Sequence, residues 1–226
     1  TWHSAPEMHV TPQYAAFDNL EQAKKDFAAE TELALKSIEG ISDPLEQVLT
    51  LHDYLTLHCA YANDTNAAYV HSAYGALVNG NPVCQGYALA FKHLLNQINI
   101  NCILVNGAEA MNHVWNAVEL NGAWYHIDVT WDDPKFKNHG DMEGYSGHEY
   151  FLCSNTKMSS EGADGHYGWD ESLVPNWGTM YDSGWLFNDT EFPVHCRGGK
   201  YYYIGGSAGY SQHTIYETNT LHTTSG

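Results

Sequence analysis

The sequence predicts an α+β fold in which helices pack on an antiparallel sheet. Two observations carry this. Three stretches in the first hundred residues space their apolar residues three and four apart, the period of a helix with one buried face. Three β-type segments then follow, the last two joined by Asn121-Gly122. Asn-Gly between alternating segments is the signal for a type I′ hairpin.

Taken in order, residues 1–17 show no period and read as a leading arm, ahead of a main domain at 18–184 and a small C-terminal β appendage at 185–226. From Asp18 to Ile38, the residues Leu20, Ala23, Phe27, Ala34 and Ile38 form a helical stripe that Gly40 closes. SDPLEQVLTLHDYLTLHC starts a second helix, with Asp43 as its cap and Pro44 in its first turn. Leu45, Val48, Leu49, His52, Leu55 and Cys59 share one face of it. Residues 61–82 are small, polar and punctuated by Gly and Pro, and read as irregular. A third helix begins at Cys84, with Tyr87, Ala88, Phe91, Leu94, Leu95 and Ile98 as its stripe. CILVNG, HVWNAVEL and AWYHIDVT are the β segments. The chain is then loop-rich to about residue 184, with EYFLCS as one more strand, and ends in short aromatic strands between the Gly-rich turns RGGK and IGGSAGYS.

The hairpin register follows from its turn. A two-residue turn at 121–122 sets Leu120 opposite Ala123, Trp115 opposite Asp128 and His113 opposite Thr130. Val114, Asn116, Val118, Leu120, Ala123, Tyr125, Ile127 and Val129 make one face, mostly apolar and expected on a core. His113, Trp115, Ala117, Glu119, Trp124, His126, Asp128 and Thr130 make the other. His113 and Asp128 become diagonal neighbours about 7–8 Å apart at the backbone, a gap two side chains close to a hydrogen bond.

Composition narrows the function. Of 226 residues, 9 are Lys or Arg and 27 are Asp or Glu, a formal charge of −18. That excludes nucleic acid and anionic membrane surfaces as partners, since both need a basic patch. No apolar run approaches the ~18 residues of a membrane span. With 43% hydrophobic and 16% charged residues the chain is globular. The 16 Tyr and 7 Trp beside few Lys are read as the surface of a secreted or cell-surface protein. A start at Thr1 is what a processed or excised fragment gives. Five cysteines without a CxxC pair support neither a zinc ribbon nor a thioredoxin-type motif. An odd count leaves one thiol unpaired within the chain, and Cys59–Cys102 and Cys153–Cys196 pairings stay open. Cys102, in an apolar run, reads as a buried small hydrophobe.

Cys84, His113 and Asp128 carry the chemistry. Cys84 stands where a Gly/Pro-rich loop becomes a helix. The unpaired N–H groups and dipole there favour a thiolate, the reactive form. His113 is suited to serve as base toward the thiol and acid toward a leaving amine. Asp128 on the neighbouring strand can hold the second imidazole nitrogen and fix its tautomer.

Three blocks, GNPVCQGYALAF, NHVWNAVELNGAWYHIDVTWDDP and EYFLCSNTKM, resemble the bacterial branch of the transglutaminase-like superfamily. They span about residues 42–156, roughly half the chain. The resemblance implies a papain-like α+β fold, with Cys84 as nucleophile, His113 as acid/base and Asp128 as orienter. There are departures. Animal transglutaminases carry Trp directly after the Cys, where Gln85-Gly86 stands here; papain-type proteases carry Gln six residues before it, where Val78 stands here. The oxyanion donors are therefore expected to be the Cys84 backbone N–H and the phenol of Tyr61 or Tyr74, with Tyr61 preferred because it follows the helix that should pack beside the nucleophile.

Trp115, Trp124, Trp131 and Gln85 are the candidates for the substrate cleft; for Trp115 and Trp124 the competing reading is packing against the Cys84 helix, and for Trp131-Asp132-Asp133-Pro134 a plain turn. His126 and Asp128 form an HxD pair, with His139, His148 and His166 in later loops. The spacing matches no metal motif, so zinc-dependent hydrolysis by His113, His126 and Asp128 ranks third. No EF-type calcium loop and no phosphate-binding Gly motif occurs, and no cofactor or metal is expected. The first expectation is thiol-dependent acyl transfer on a protein or peptide substrate, including cell-wall peptide. Water is preferred over an amine as acceptor, because no feature shows how water is kept out. Transglutaminase-type cross-linking is the alternative acceptor chemistry. A non-catalytic glycan- or protein-binding module is the alternative of another class.

Overall fold

The structure is a computed structural model describing residues 17–133, 135–136, 140–141, 144–160, 165–184, 190–205 and 213–221. Almost all of the leading arm lies outside the described residues.

Helix α1 (Leu20–Lys36) begins at Asn19, whose side chain accepts from the Gln22 N–H, and α2 (Pro44–His58) begins at Asp43, which accepts from Leu45 and Glu46 N–H. These are the side-chain acceptors that helix starts require. The stretch read as irregular holds one short helix, α3 (Ala73–Leu77), capped by Ser72 through the Gly75 N–H. Five residues give too few apolar repeats for a period to register.

Helix α4 (Cys84–Gln97) follows and buries Tyr87, Phe91, Leu94 and Leu95. Its first turn sits tight against the preceding loop: a Cβ at Gly86 would lie 2.5 Å from the Val70 carbonyl oxygen and 2.6 Å from Pro82 Cβ. Only glycine lets α4 start that close.

Strands β1 (Cys102–Asn106), β2 (Val114–Leu120), β3 (Ala123–Ile127) and, later, β6 (Phe151–Cys153) form one antiparallel sheet in the order β1-β2-β3-β6. The β2–β3 register is the predicted one, with Leu120 opposite Ala123 and Asn116 opposite Ile127. Asn121 and Gly122 take φ of 53° and 79°, as a type I′ turn demands. The Asn116 side chain donates to the Ala88 carbonyl of α4, so the apolar face of the hairpin does lie on the helices. The other face is also buried, with Trp115, Ala117 and His126 all at 1% exposure or less. It is covered by the 165–178 segment, whose Trp169 meets Trp115 and His126 edge-on and whose Trp177 stacks on His126. The packing of Trp115 is therefore on that segment, on the side of the sheet away from α4.

One expectation is corrected. Strand β3 ends at Ile127 and does not run to Thr130; Asp128 caps a single helical turn, α5 (Val129–Asp132). Asp128 competes successfully with the ladder because its own side chain accepts from the Thr130 and Trp131 N–H groups, the local bonding for which Asp is favoured at such positions. Beyond α5 lie the two-residue strands β4 (Lys135–Phe136) and β5 (Gly140–Asp141), then α6 (Asn155–Ser160) after β6, and a 3₁₀ turn at Glu171–Leu173.

The C-terminal strands β7 (His195–Arg197), β8 (Lys200–Gly205) and β9 (Thr214–Thr218) make a three-stranded antiparallel sheet. Its Tyr201 and Tyr203, with Val194 and Leu221, belong to the same apolar core as α2 and α4. None of the five cysteines is joined in a disulfide, so neither the Cys59–Cys102 nor the Cys153–Cys196 pairing forms among the described residues.

Candidate active site

Val83, the residue ahead of α4, makes no side-chain cap, so the first N–H groups of the helix remain available beside Cys84. Cys84 is half-buried. His113 comes from the short loop between β1 and β2 and immediately precedes β2. Its side chain lies close enough to Cys84 for that group to raise its proton affinity, while Nε2 lies 2.5 Å from Asp128 Oδ2. Since Nε2 is taken, Nδ1 is the nitrogen left for the thiol. The sequence pairing brings Cys84, His113 and Asp128 together, although Asp128 acts from the cap of α5 and not from a strand.

The electrostatics are those of a buried charge pair. Burial lowers the proton affinity of His113, but the charge and hydrogen bond of Asp128 and the contact with Cys84 outweigh it and raise it to about 10. Burial pushes Asp128 up, yet the His113 charge and the hydrogen bonds from His113 and His166 hold its carboxyl well below the usual carboxylate range. The pair is therefore imidazolium and carboxylate in the folded protein.

Of the oxyanion candidates, Tyr61 reaches the site. Burial, with the charges of Cys84 and Asp128, raises its proton affinity against the opposing pull of the Cys84 backbone N–H. Tyr74 does not: it packs on Phe17, Tyr69 and Phe27 at the α1 side, because α3 turns that face toward α1.

The cleft candidates divide. The Trp131 ring lies 5.4 Å from the His113 ring and Trp115 lies stacked 5.8 Å from it. Gln85 is exposed beside Cys84 in the first turn of α4. Trp124 is not at the site. It sits next to the hairpin turn and pairs with Trp177, four residues along from Asp128, about 13 Å at the rise of a strand.

Sequence reading underweighted two groups. His166 is buried, and its Nε2 lies 2.7 Å from Asp128 Oδ2. It comes from an aperiodic loop 38 residues on, and only its residue type hinted at a role. Asp132 and Asp133 are not a plain turn. Asp132 Oδ2 lies 3.1 Å from His52 Nε2 and Oδ1 accepts from the Tyr150 N–H, while Asp133 accepts from the Tyr87 hydroxyl of α4. His52 also meets Asp53 at 2.9 Å, and Asp53 takes His148, Ser146 and the Val194 N–H. Burial lowers His52, but hydrogen bonds to Asp132 and Asp53 and their charges raise it to about 9. This network fixes α5, and with it Asp128, onto α2 and α4.

Two groups of potential ligand atoms lie within 4.8 Å of one another: His52, Asp53 and His148, and His113, Asp128 and His166. In both, the atoms a metal would need already meet one another at 2.5–2.9 Å as hydrogen bonds. That is the geometry of shared protons. His126, the third group of the zinc reading, is engaged elsewhere. It accepts from Trp115 Nε1 and donates to Asn155 Oδ1, and burial with the neighbouring His166 lowers it to about 4.

Helices packed on an antiparallel sheet, with the cysteine opening a central helix and the His and Asp arriving from the hairpin, define a papain-like fold. Residues 31–129 match the family model described as "Transglutaminase-like superfamily". Among solved structures, the chain is similar to one described as a TGase, at 15% identity and TM-score 0.43, over 59% of this chain and 38% of that one. It is also similar to a candidate cysteine protease from Cytophaga hutchinsonii, at 19% identity and TM-score 0.39, over 50% and 44%. A third is the arylamine N-acetyltransferase of Salmonella typhimurium, at 11% identity and TM-score 0.37, over 87% and 66%. The chain thus spans less than half the length of the first two. No curated protein matches the sequence. No helix among the described residues is long and apolar enough to cross a membrane.

Proposed function

We propose that this chain is a secreted or cell-surface thiol enzyme that transfers acyl groups from amide bonds of protein or cell-wall peptide, with water as its preferred acceptor. The observation that carries the reading is the convergence of Cys84, His113 and Asp128: His113 Nε2 lies 2.5 Å from Asp128 Oδ2, and Cys84 is near enough to raise the proton affinity of His113. It supports a thiolate–imidazolium pair steadied by a buried carboxylate.

In this reading the Cys84 thiolate attacks the amide carbonyl carbon and its π electrons move onto oxygen. The Cys84 N–H and the Tyr61 hydroxyl face each other at rest, and an oxyanion entering between them takes a hydrogen bond from each. Collapse breaks the C–N bond. The leaving nitrogen takes the His113 proton and departs as an amine, leaving a thioester on Cys84. Water then gives a proton to His113 as its oxygen attacks the thioester. The carboxylic acid leaves and the ion pair is restored. An amine in place of water gives a transglutaminase by the same steps.

The test is the pH dependence of Cys84 alkylation by iodoacetamide, with His113→Ala beside it. A reactive plateau extending below pH 7 in the wild type, lost in the variant, is expected. A single titration near the ordinary thiol value of about 8.5 in both would end the reading and leave a binding module. On amide substrates, product analysis with and without added alkylamine then separates hydrolysis from cross-linking.

A further inference from the structure

Asp128 serves two imidazoles with one oxygen. Its Oδ1 accepts from the Thr130 and Trp131 N–H groups at 3.0 and 3.3 Å, and its Oδ2 from His113 and His166 at 2.5 and 2.7 Å. Four donors are the full complement of a carboxylate. The His166 ring is held among Trp131, Trp115 and Tyr150, with centroids 4.2, 4.7 and 5.1 Å away. Its backbone is held too: the Ala108 N–H donates to the Tyr167 carbonyl, on the loop that leads into His113. His166 Nδ1 is buried without a hydrogen-bond partner among the described residues, so its proton sits on Nε2 and is donated to Asp128.

We infer that His166 is a positioning residue for the Cys84–His113–Asp128 unit: its Nε2–H pins Asp128 Oδ2 and draws off part of the carboxylate charge, so that His113 releases its proton more readily than it would facing Asp128 alone. The inference rests on the reading of His113 as the acid and base. A carboxylate that accepts more hydrogen bonds is a weaker base, and the same oxygen is the one that holds the His113 proton. His113 is raised to about 10 even with His166 in place; without that donor its imidazolium would be a still weaker acid toward a leaving amine. The other titratable groups facing this unit are Cys84 on α4, Tyr61 after α2, Tyr150 before β6 and His126 on β3, and all are retained in the variants below.

The experiment follows the imidazole Hε1 resonance of His113, assigned through His113→Ala, against pH in the wild type, His166→Phe and His166→Gln. Phenylalanine keeps the ring and removes the donor; glutamine restores an N–H at the reach of Nε2. The His113 midpoint is expected to rise by about half a unit to one unit in His166→Phe, three- to tenfold in proton affinity, and to return toward the wild-type value in His166→Gln. His166→Leu serves should the phenylalanine variant fail to fold. A midpoint unmoved in a folded donor-free variant, even with lowered thermal stability, means His166 only fills space and overturns the inference. A lowered midpoint also overturns it, since Asp128 would then have lost its place. The readout does not use Cys84 reactivity. An ordinary Cys84 thiol would sink the proposed function while leaving the His113–His166 coupling standing.

Discussion

Asp132 Oδ2 lies 3.1 Å from His52 Nε2, both buried, at the far end of the same helical turn that Asp128 caps. Removing one partner of such a pair leaves an uncompensated charge in the interior. Asp132→Ala is therefore expected to destabilise the protein by about 3–5 kcal/mol, measured by urea unfolding. The exposed Lys24–Glu21 pair is the contrast: Lys24→Ala should cost under about 1 kcal/mol. Equal losses would show that the His52 network does not hold the turn.

The network also sets how stability varies with pH. His52 has a folded value raised to about 9 from 6.5, so its contribution is complete below the unfolded value and is lost as pH climbs through 9. His126 has a folded value lowered to about 4 from 6.5, so the unfolded chain takes up the proton first and stability falls as pH drops from 6.5 toward 4. Melting temperature should peak near pH 6.5. His126→Gln should flatten the acid side and leave the alkaline side alone. An unchanged acid side in that variant would exclude His126 as its cause.

His113→Ala and Asp128→Ala should separate by stability. His113 is one of four donors to Asp128, whereas Asp128 caps α5 and satisfies all four. Loss of an Asp cap alone costs about 1 kcal/mol. Asp128→Ala should thus lower the melting temperature and turnover together, and His113→Ala, which leaves Asp128 three of its four donors, should lower the melting temperature less. Turnover should suffer more in His113→Ala, since proton transfer contributes more than orientation. Comparable melting curves would remove the structural role assigned to Asp128.

The two tryptophans once grouped together should part company. Trp131→Ala, within ring contact of His113 and His166, is expected to slow Cys84 alkylation at pH 6 by about tenfold through a wetter site. Trp124→Ala should change it by less than a factor of two. Matching effects would mean the two rings act through overall stability.

Gly86→Ala tests the seat of the nucleophile. A methyl group 2.5 Å from a backbone oxygen must push α4 away, at about 1–3 kcal/mol for overpacking. The Tyr61–Cys84 contact should weaken with it, seen as an altered Tyr61 environment in ultraviolet difference spectra. A fully stable, spectrally unchanged variant would mean the loop yields freely.

Much of this was written in local pattern. Asp43, Pro44 and the Leu/Val spacing mark α2, and Asn121-Gly122 fixes a register from which the nearness of His113 to Asp128 follows. What escaped is set by contacts distant in sequence. His166 reaches Asp128 from an aperiodic loop; Trp169 and Trp177 cover a sheet face whose own residues cannot announce a lid from 40 residues away. Asp128 was misplaced on a strand because alternation continues through Val129, while the decision to turn lies in side-chain capping. Tyr74 and Trp124 carry the right chemistry in the wrong places, which is a matter of packing that residue type does not encode.

The Val194 N–H donates to Asp53 Oδ2 at 2.7 Å across 141 residues of sequence, so the ion network behind Asp128 is closed by the segment that leads into the C-terminal sheet. The carboxylate that faces His113 is thus seated by residues from both ends of the described chain, and a loosening of the C-terminal sheet would reach it through Asp53, His52 and Asp132.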